Sequence, residues 1–302
     1  MHASDSSTTF WTAGSLWRGS PELLFGRTHE DAAIECGAFA GLRRVFCIAG
    51  AGCTAMALAG AGHDVTAIDI NPCQVEYAKA RAGGAQARAG AVERLVARGR
   101  AMLPLIGWTR ATVREFLSLS DTAEQTEYWD RRLDTRRWRA ALNVLLAPRL
   151  LALVYAAPLL AALPANFAAV VRERLRRGWA NHPNRVNPHA WRLLAGEEGA
   201  VPAQPASSNA RPIAFACADA AAFLESSAPA SFDAFSLSNI VDGASPAYIE
   251  RLRAAVRRAA APKAIAIVRS FAEPRAPNPQ NHAGRDRSLV WGSVDVRPAE
   301  EV

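Results

Sequence analysis

The stretch Arg44–Pro72, RVFCIAGAGCTAMALAGAGHDVTAIDINP, decides the fold. Arg44–Ala49 is an apolar run with β-branched and aromatic members, closed by glycine, and it reads as a buried strand. Gly50 and Gly52 follow, then a helix of small residues. His63–Ile70 reads as a second strand carrying Asp69 near its end. Asn71-Pro72 opens another helix, because proline at the first helical position lacks only an N–H that has no partner there. Strand, turn, helix, strand, helix is a βαβ unit and predicts a parallel sheet.

Outward from this unit the rhythm breaks and then resumes. Upstream, Glu30–Phe39 reads as a helix. Downstream, residues 85–192 are Arg-rich and helical in pattern, and residues 193–212 are a Gly/Pro/Ser-rich loop. Strands return at Ile213–Cys217, Phe232–Leu237 and Lys263–Ser270, with a last candidate at Ser288–Val296. Pro246–Ala260 reads as a helix with Ile249, Leu252 and Val256 at apolar spacing. The expectation is an α/β fold: a Rossmann-like parallel sheet of the class I methyltransferase type, interrupted by a mostly helical insertion. Residues 16–84 form its first half, 85–192 the insertion or lid, and 213–297 the second half.

A chain of 302 residues, half of them hydrophobic, can bury a core without disulfides or metals. Cys36, Cys47, Cys53, Cys73 and Cys217 are scattered and form no CxxC pair. With a polar start, MHASDSSTTF, they predict free thiols in a cytoplasmic protein. No His/Cys/Asp cluster has metal-ligand spacing, so no metal is expected. The net charge of +7 is local: Arg94 to Arg192 holds seventeen Arg against seven acidic residues. Such a zone suits nucleic acid, anionic lipid, an acidic substrate or plain solvent. No nucleic-acid motif accompanies it, so no nucleic-acid partner is expected.

Gly50 and Gly52 sit where a ligand's closest approach to backbone is needed, ahead of a helix N-terminus. Asp69, seventeen residues after Gly52, can accept hydrogen bonds from both hydroxyls of a ribose. This layout serves dinucleotides and S-adenosylmethionine alike. In the run Gly50-Ala51-Gly52-Cys53-Thr54-Ala55, alanine takes the place of the third glycine of a dinucleotide fingerprint, and the loop alone does not decide. The acidic strand end together with Ala218-Asp219 after a third strand favours S-adenosylmethionine, with Asp219 at the edge of the adenine.

Four stretches carry a resemblance. Leu24–Glu35 (LFGRTHEDAAIE), Phe46–Asn71, Phe232–Gly243 (FDAFSLSNIVDG) and Asp286–Gly292 (DRSLVWG) resemble, in order and rough spacing, the family of bacterial S-adenosylmethionine:diacylglycerol 3-amino-3-carboxypropyltransferases of betaine-lipid synthesis. The resemblance runs from about residue 16 to residue 296. It departs at His29, where an aromatic residue is expected ahead of the Glu30-Asp31 pair. It implies transfer of the aminocarboxypropyl group of S-adenosylmethionine to diacylglycerol, at a membrane surface reached from the cytoplasmic side. Transfer to a soluble metabolite, or methyl transfer, are the alternatives.

A lipid hydroxyl is a poor nucleophile and needs a general base. Asp242, Asp31 or Glu30, and His29 are the candidates. The donor site is expected to comprise Ala49, Gly50, Gly52, Asp69, Ile70, Asp219 and Ala220. Ser238 and Asn239 would orient its amino-acid part, and Arg269 would pair with its carboxylate. Leu150–Val171 is uncharged over twenty-two residues. A single crossing would part the two halves of the sheet, so the stretch reads either as a lid or, with flanking arginines and Trp138 and Trp179, as a membrane-docking element.

Overall fold

The computed structural model describes residues 22–152, 160, 163–199, 211–274 and 276–302. Residues 16–21 of the expected first half, 153–159, 161 and 162 of the apolar stretch, and 200–210 of the expected loop lie outside the described residues.

Val45, Phe46 and Cys47 are all fully buried, which a strand achieves only when both faces of its sheet are covered. They belong to β1 (Arg44–Ile48). The other strands are β2 (Asp64–Asp69), β3 (Ile213–Cys217), β4 (Phe232–Ser236), β5 (Ala260–Ser270) and β6 (Ser293–Pro298). The sheet order is β3-β2-β1-β4-β5-β6. β1 to β5 run parallel and β6 is antiparallel to β5. This is an α/β fold with a mostly parallel six-stranded sheet, a layout compatible with a Rossmann-like fold. Strand order reverses between β1 and β4, and open α/β sheets bind ligands outside the carboxyl ends of the strands at such a point.

Alternate side chains of each strand feed two cores. Phe46, Ile68, Phe235 and Ala266 pack against helices Ala220–Ser226 and Pro246–Ala259. Val45, Cys47, Val65, Ala67 and Ala234 pack on the other face with α1 (Ala33–Ala38) and α2 (Cys53–Gly60), through Phe39, Ala55 and Leu58. α3 (Pro72–Ala82) starts as its sequence predicts: Pro72 is its first residue and the Asn71 side chain accepts from the Cys73 N–H.

Three expectations shift. α1 begins at Ala33 rather than Glu30, because Asp31 bonds the Ala33 N–H and Glu30 turns inward ahead of the helix. The last strand is antiparallel and begins at Ser293 rather than Ser288. The residues before it are held as a loop by the insertion, where Arg174 and Arg177 donate to the carbonyls of Val290 and Trp291. Trp138 and Trp179 do not face outward: both are buried, with Trp108, Trp129 and Phe116, in a third core made by the insertion's own helices. Burial of these rings drives the insertion to fold as a layer, and edge-to-face stacking at 5.1 Å between Phe116 and Trp179 sets their geometry.

Many of the insertion's arginines are held by acids. Arg139 and Arg172 share Asp134, Arg176 pairs with Asp130, and buried Arg174 reaches Glu273 at 2.7 Å. Burial works to raise the Asp134 carboxyl, but Arg172 and Arg139 prevail and hold it below its ordinary range. All five cysteines are free thiols. Among the described residues no helix is long and apolar enough to cross a membrane.

Candidate functional site

A cavity of about 330 Å³ lies at the switch point, within the size range of small-ligand sites. Its floor is the carboxyl ends of β1, β2 and β4. The turn after β1 needs positive φ at Gly50 (48°) and Gly52 (79°), and a Cβ on Gly52 would stand 3.2 Å from the Ala78 Cβ of α3. The Gly50 N–H donates to Asp69 Oδ2 at 3.1 Å and the Asn71 N–H to Oδ1 at 2.9 Å. Burial outweighs these bonds and pushes the Asp69 carboxyl up to about 6.

Asp219 caps the helix Ala220–Ser226 through the Ala222 N–H and accepts from the Tyr248 hydroxyl at 2.7 Å. Glu30 accepts from the Ser238 and Thr54 hydroxyls. Its carboxyl is raised by burial, against the pull of Arg269. Glu30, Asp69 and Asp219 therefore put three carboxylates in the cavity lining, Asp219 with Arg251 3.8 Å away. Among the described residues the lining has no Arg or Lys, and its one basic side chain is His29.

His29 is half-buried. Its Nε2 has no hydrogen-bond partner among the described residues and stands 3.8 Å from Glu93 Oε1. Burial holds the imidazole below its ordinary range, opposed by Glu93 and reinforced by Arg192. The Trp291 indole N–H donates to the His29 carbonyl at 2.9 Å and fixes the backbone.

Of the residues singled out from sequence, His29, Gly50, Asp69, Ile70, Asp219, Ala220, Ser238 and Asn239 are brought together at this cavity, as is Glu30. Ala49 and Gly52 shape the turn without lining it; the Gly52 N–H bonds the Ala49 carbonyl. Three others are elsewhere. Asp31 is clamped by Arg287 at 2.5 and 2.6 Å. Asp242 accepts from the Ser270 hydroxyl at 2.6 Å, the Phe271 N–H at 2.9 Å and the Asn239 amide, so its lone pairs are directed at the protein. Arg269 has no exposed surface: it pairs with both oxygens of Glu35, reaches Asp286 at 3.3 Å and approaches Glu30 at 3.8 Å. No face of that guanidinium is open to a ligand carboxylate.

Sequence reasoning missed Gln74 and Tyr248. Gln74 Oε1 accepts from the Leu24 and Phe25 N–H groups, while its Nε2 donates to the Phe25 and Gly50 carbonyls at 2.8 Å. One buried amide thus ties the segment before His29 to the glycine turn. The available signal was a Gln two residues after the helix-starting proline, on a face that otherwise buries Val75 and Ala78. Replacing Gln74 by Leu strands four backbone groups. The expected loss is about 2 kcal/mol of unfolding free energy, within the range for leaving buried hydrogen-bonding groups unsatisfied. Urea denaturation checks it, and a loss under about 0.5 kcal/mol would show that the tie is redundant.

The insertion supplies the roof. Val92, Val96 and Leu193 line the cavity opposite the strand ends, as do Leu163 and Phe167 of the apolar stretch. Comparison with protein-family models, with curated proteins and with solved structures returned no match for this chain.

Proposed function

We propose that the chain is an S-adenosylmethionine-dependent transferase of the class I methyltransferase-like type, moving the 3-amino-3-carboxypropyl group to an acceptor nucleophile. The observation that carries the donor assignment is the charge of the cavity wall. A dinucleotide brings a pyrophosphate and would meet three carboxylates and, among the described residues, no arginine or lysine in the lining. S-adenosylmethionine brings a sulfonium and an ammonium, which such a wall favours. Asp69 takes the ribose hydroxyls, Asp219 the adenine edge between Ile70 and Ala220, and Glu30 with Ser238 and Asn239 faces the cationic amino-acid end. The antiparallel last strand beside β5 supports the methyltransferase-like variant over an all-parallel dinucleotide sheet.

The choice of alkyl group rests on the resemblance of the four sequence stretches. In the proposed step the acceptor attacks the γ-carbon of the methionine chain. The carbon–sulfur bond breaks, its electron pair stays on sulfur as 5′-methylthioadenosine, and the acceptor's proton passes to the His29 Nε2. Alignment of nucleophile, carbon and leaving sulfur supplies much of the rate. Diacylglycerol is the acceptor the resemblance implies, and the apolar roof suits an amphiphile.

The deciding assay incubates the protein with S-adenosylmethionine and diacylglycerol in mixed micelles and identifies the nucleoside by mass spectrometry. Methylthioadenosine matched by an amino-acid-bearing lipid is the expected product. S-adenosylhomocysteine would replace this reading with methyl transfer. Methylthioadenosine formed only with a soluble nucleophile would replace the acceptor.

The donor site has its own test. Asp69→Ala is expected to weaken S-adenosylmethionine about tenfold or more, since two hydrogen bonds to a charged acceptor are lost. The pH dependence follows from the carboxyl's position near 6. The ionised form accepts from the ribose, so affinity is full above that pH and falls as the group takes a proton. From pH 7 to pH 5 the dissociation constant should rise about tenfold, and Asp69→Ala should flatten that dependence. Calorimetric titration reads both; an unchanged affinity in the variant would remove Asp69 from the donor site.

A further inference from the structure

A second chamber of about 320 Å³ adjoins the first and shares Thr28, His29, Val96, Leu193 and Val290 with it. Its character is opposite. Arg27, Arg88, Arg94, Arg100 and Arg192 line it, against two carboxylates, Glu93 and Glu198. Glu93 is already saturated by the N–H groups of Gly26, Arg27 and Gly90, at 2.8 to 3.0 Å. Glu198 is shared between Arg27 at 2.8 Å and Arg192 at 3.6 Å. Arg88 and Arg100 pair with no carboxylate among the described residues: Arg88 lies over the Tyr77 ring and Arg100 donates to the Arg192 carbonyl. Arg94 reaches Glu22 at 3.3 Å.

Unfilled hydrogen-bonding capacity lies at the same place. Thr28 Oγ1 and Ser288 Oγ, on residues that line this chamber, have the Cys53 sulfur and the Asp286 carboxylate beside them, while His29 Nε2 is a buried atom without a hydrogen-bond partner among the described residues; Ser288 is only 4% exposed. Buried polar groups without partners are uncommon in native folds, and each calls for a ligand or water. Guanidinium forks and hydroxyl donors together match the oxygens of a phosphate better than those of any neutral group. His189, on the same wall, adds no charge at neutral pH, since burial and Arg192 push it down to about 3.

We infer that this chamber binds a phosphate group, presented by the acceptor or by the lipid headgroup that delivers it, beside the donor cavity and across the wall that holds His29. The role as an acceptor subsite rests on the donor reading above; anion binding by the chamber does not. A neutral diacylglycerol has no such group, so the chamber narrows the acceptor to a phosphorylated molecule or to one taken from a phospholipid surface. Carboxylate wall on one side and guanidinium wall on the other would sort a cationic donor from an anionic acceptor before they meet.

Inorganic phosphate is the probe. It is titrated calorimetrically into the full chain, into Arg100→Gln/Arg192→Gln, and into a control, Arg136→Gln/Arg137→Gln, whose changes fall on exposed residues of the helix Arg136–Leu145. The double variant is expected to weaken phosphate about tenfold or more, from the loss of two charge-assisted contacts, while the control matches the parent. S-adenosylmethionine affinity should stay within about threefold in all three, which reports that the fold is intact. Equal phosphate affinity in parent and double variant, or no phosphate binding by the parent, overturns the inference. Phosphate binding lost in the double variant in a protein that never binds S-adenosylmethionine would instead sink the donor reading and leave the anion chamber standing. Vesicles of phosphatidylcholine and phosphatidylglycerol separate the sources. Co-sedimentation that free phosphate competes away, and that the double variant loses, assigns a headgroup; phosphate binding without co-sedimentation assigns a soluble phosphorylated acceptor.

Discussion

Arg269→Gln is expected to cost about 3–5 kcal/mol of stability at pH 7, the largest loss any single polar substitution should produce in this chain. The reason is a charge count. Among the described residues Arg269 is the cation that ion-pairs with Glu30, Glu35 and Asp286, and all four side chains are buried. Burial raises the Glu30 and Asp286 carboxyls above their ordinary values even with the guanidinium present. Removing it leaves three carboxylates without their direct ion-pair partner, with Arg287 acting on Asp286 only from further off. The pH dependence has a definite sign. A carboxyl whose folded value is raised binds protons more readily in the folded chain, so its cost is absent below its unfolded value, near pH 4. That cost is complete only above its folded value. Without Arg269 the shift grows, so the deficit of the variant should widen from pH 5 to pH 7. Urea denaturation at the two pH values measures it. A deficit below about 1 kcal/mol, or one equal at both pH values, would mean that the carboxylates are not held charged by Arg269.

The contrast between Arg269 and Asp69 shows what the sequence could and could not disclose. Both end strands, and both read as ligand-facing from that fact alone. For Asp69 the reading rests on local geometry: a βα turn of fixed form stands beside it, and the Gly50 N–H comes to its carboxylate. For Arg269 the outcome depends on Glu35 and Asp286, which arrive from other elements with no periodicity to announce them. Glu30 and Asp31 make the point at single-residue scale. Adjacent acids in an irregular segment ahead of α1 turn to opposite sides, one to Ser238 and the cavity, the other to Arg287. Without helical or strand periodicity the sequence carries no orientation for either. The sheet itself was legible because Arg44–Ile48 and Asp64–Asp69 are short apolar runs with glycine or proline at their ends. The tryptophans were not, because an indole among arginines is the same string whether its ring faces water or a neighbouring helix. Four packed indoles, three from different helices and Trp108 from the loop between two others, settle that only in three dimensions.

Replacing His29 by Asn should lower turnover about 100- to 10,000-fold while leaving S-adenosylmethionine affinity within about threefold. The two cavities share few residues, and His29 is the one among them that can take a proton at neutral pH. A base must be uncharged and must have a free lone pair. Burial keeps the imidazole below its ordinary range, so the neutral form prevails at pH 7, and Nε2 has no partner among the described residues. Glu93, 3.8 Å from that nitrogen, is placed to steady the cation once the proton has moved. This arrangement gives the profile a second signature. The acid limb of kcat/KM should report a group titrating below the usual histidine range, and His29→Asn should abolish that limb. Asp31 and Asp242 make the opposite prediction. Each already accepts hydrogen bonds from protein donors and does not line the cavity, so Asp31→Asn or Asp242→Asn should change stability more than the acid limb. The measurement is the rate of methylthioadenosine release across pH 5 to 8 in parent and variants, with the acceptor that the product assay establishes. Turnover in His29→Asn within about tenfold of the parent would remove the imidazole from proton transfer. The base would then be sought at Glu30, a cavity carboxylate that burial holds above its ordinary range.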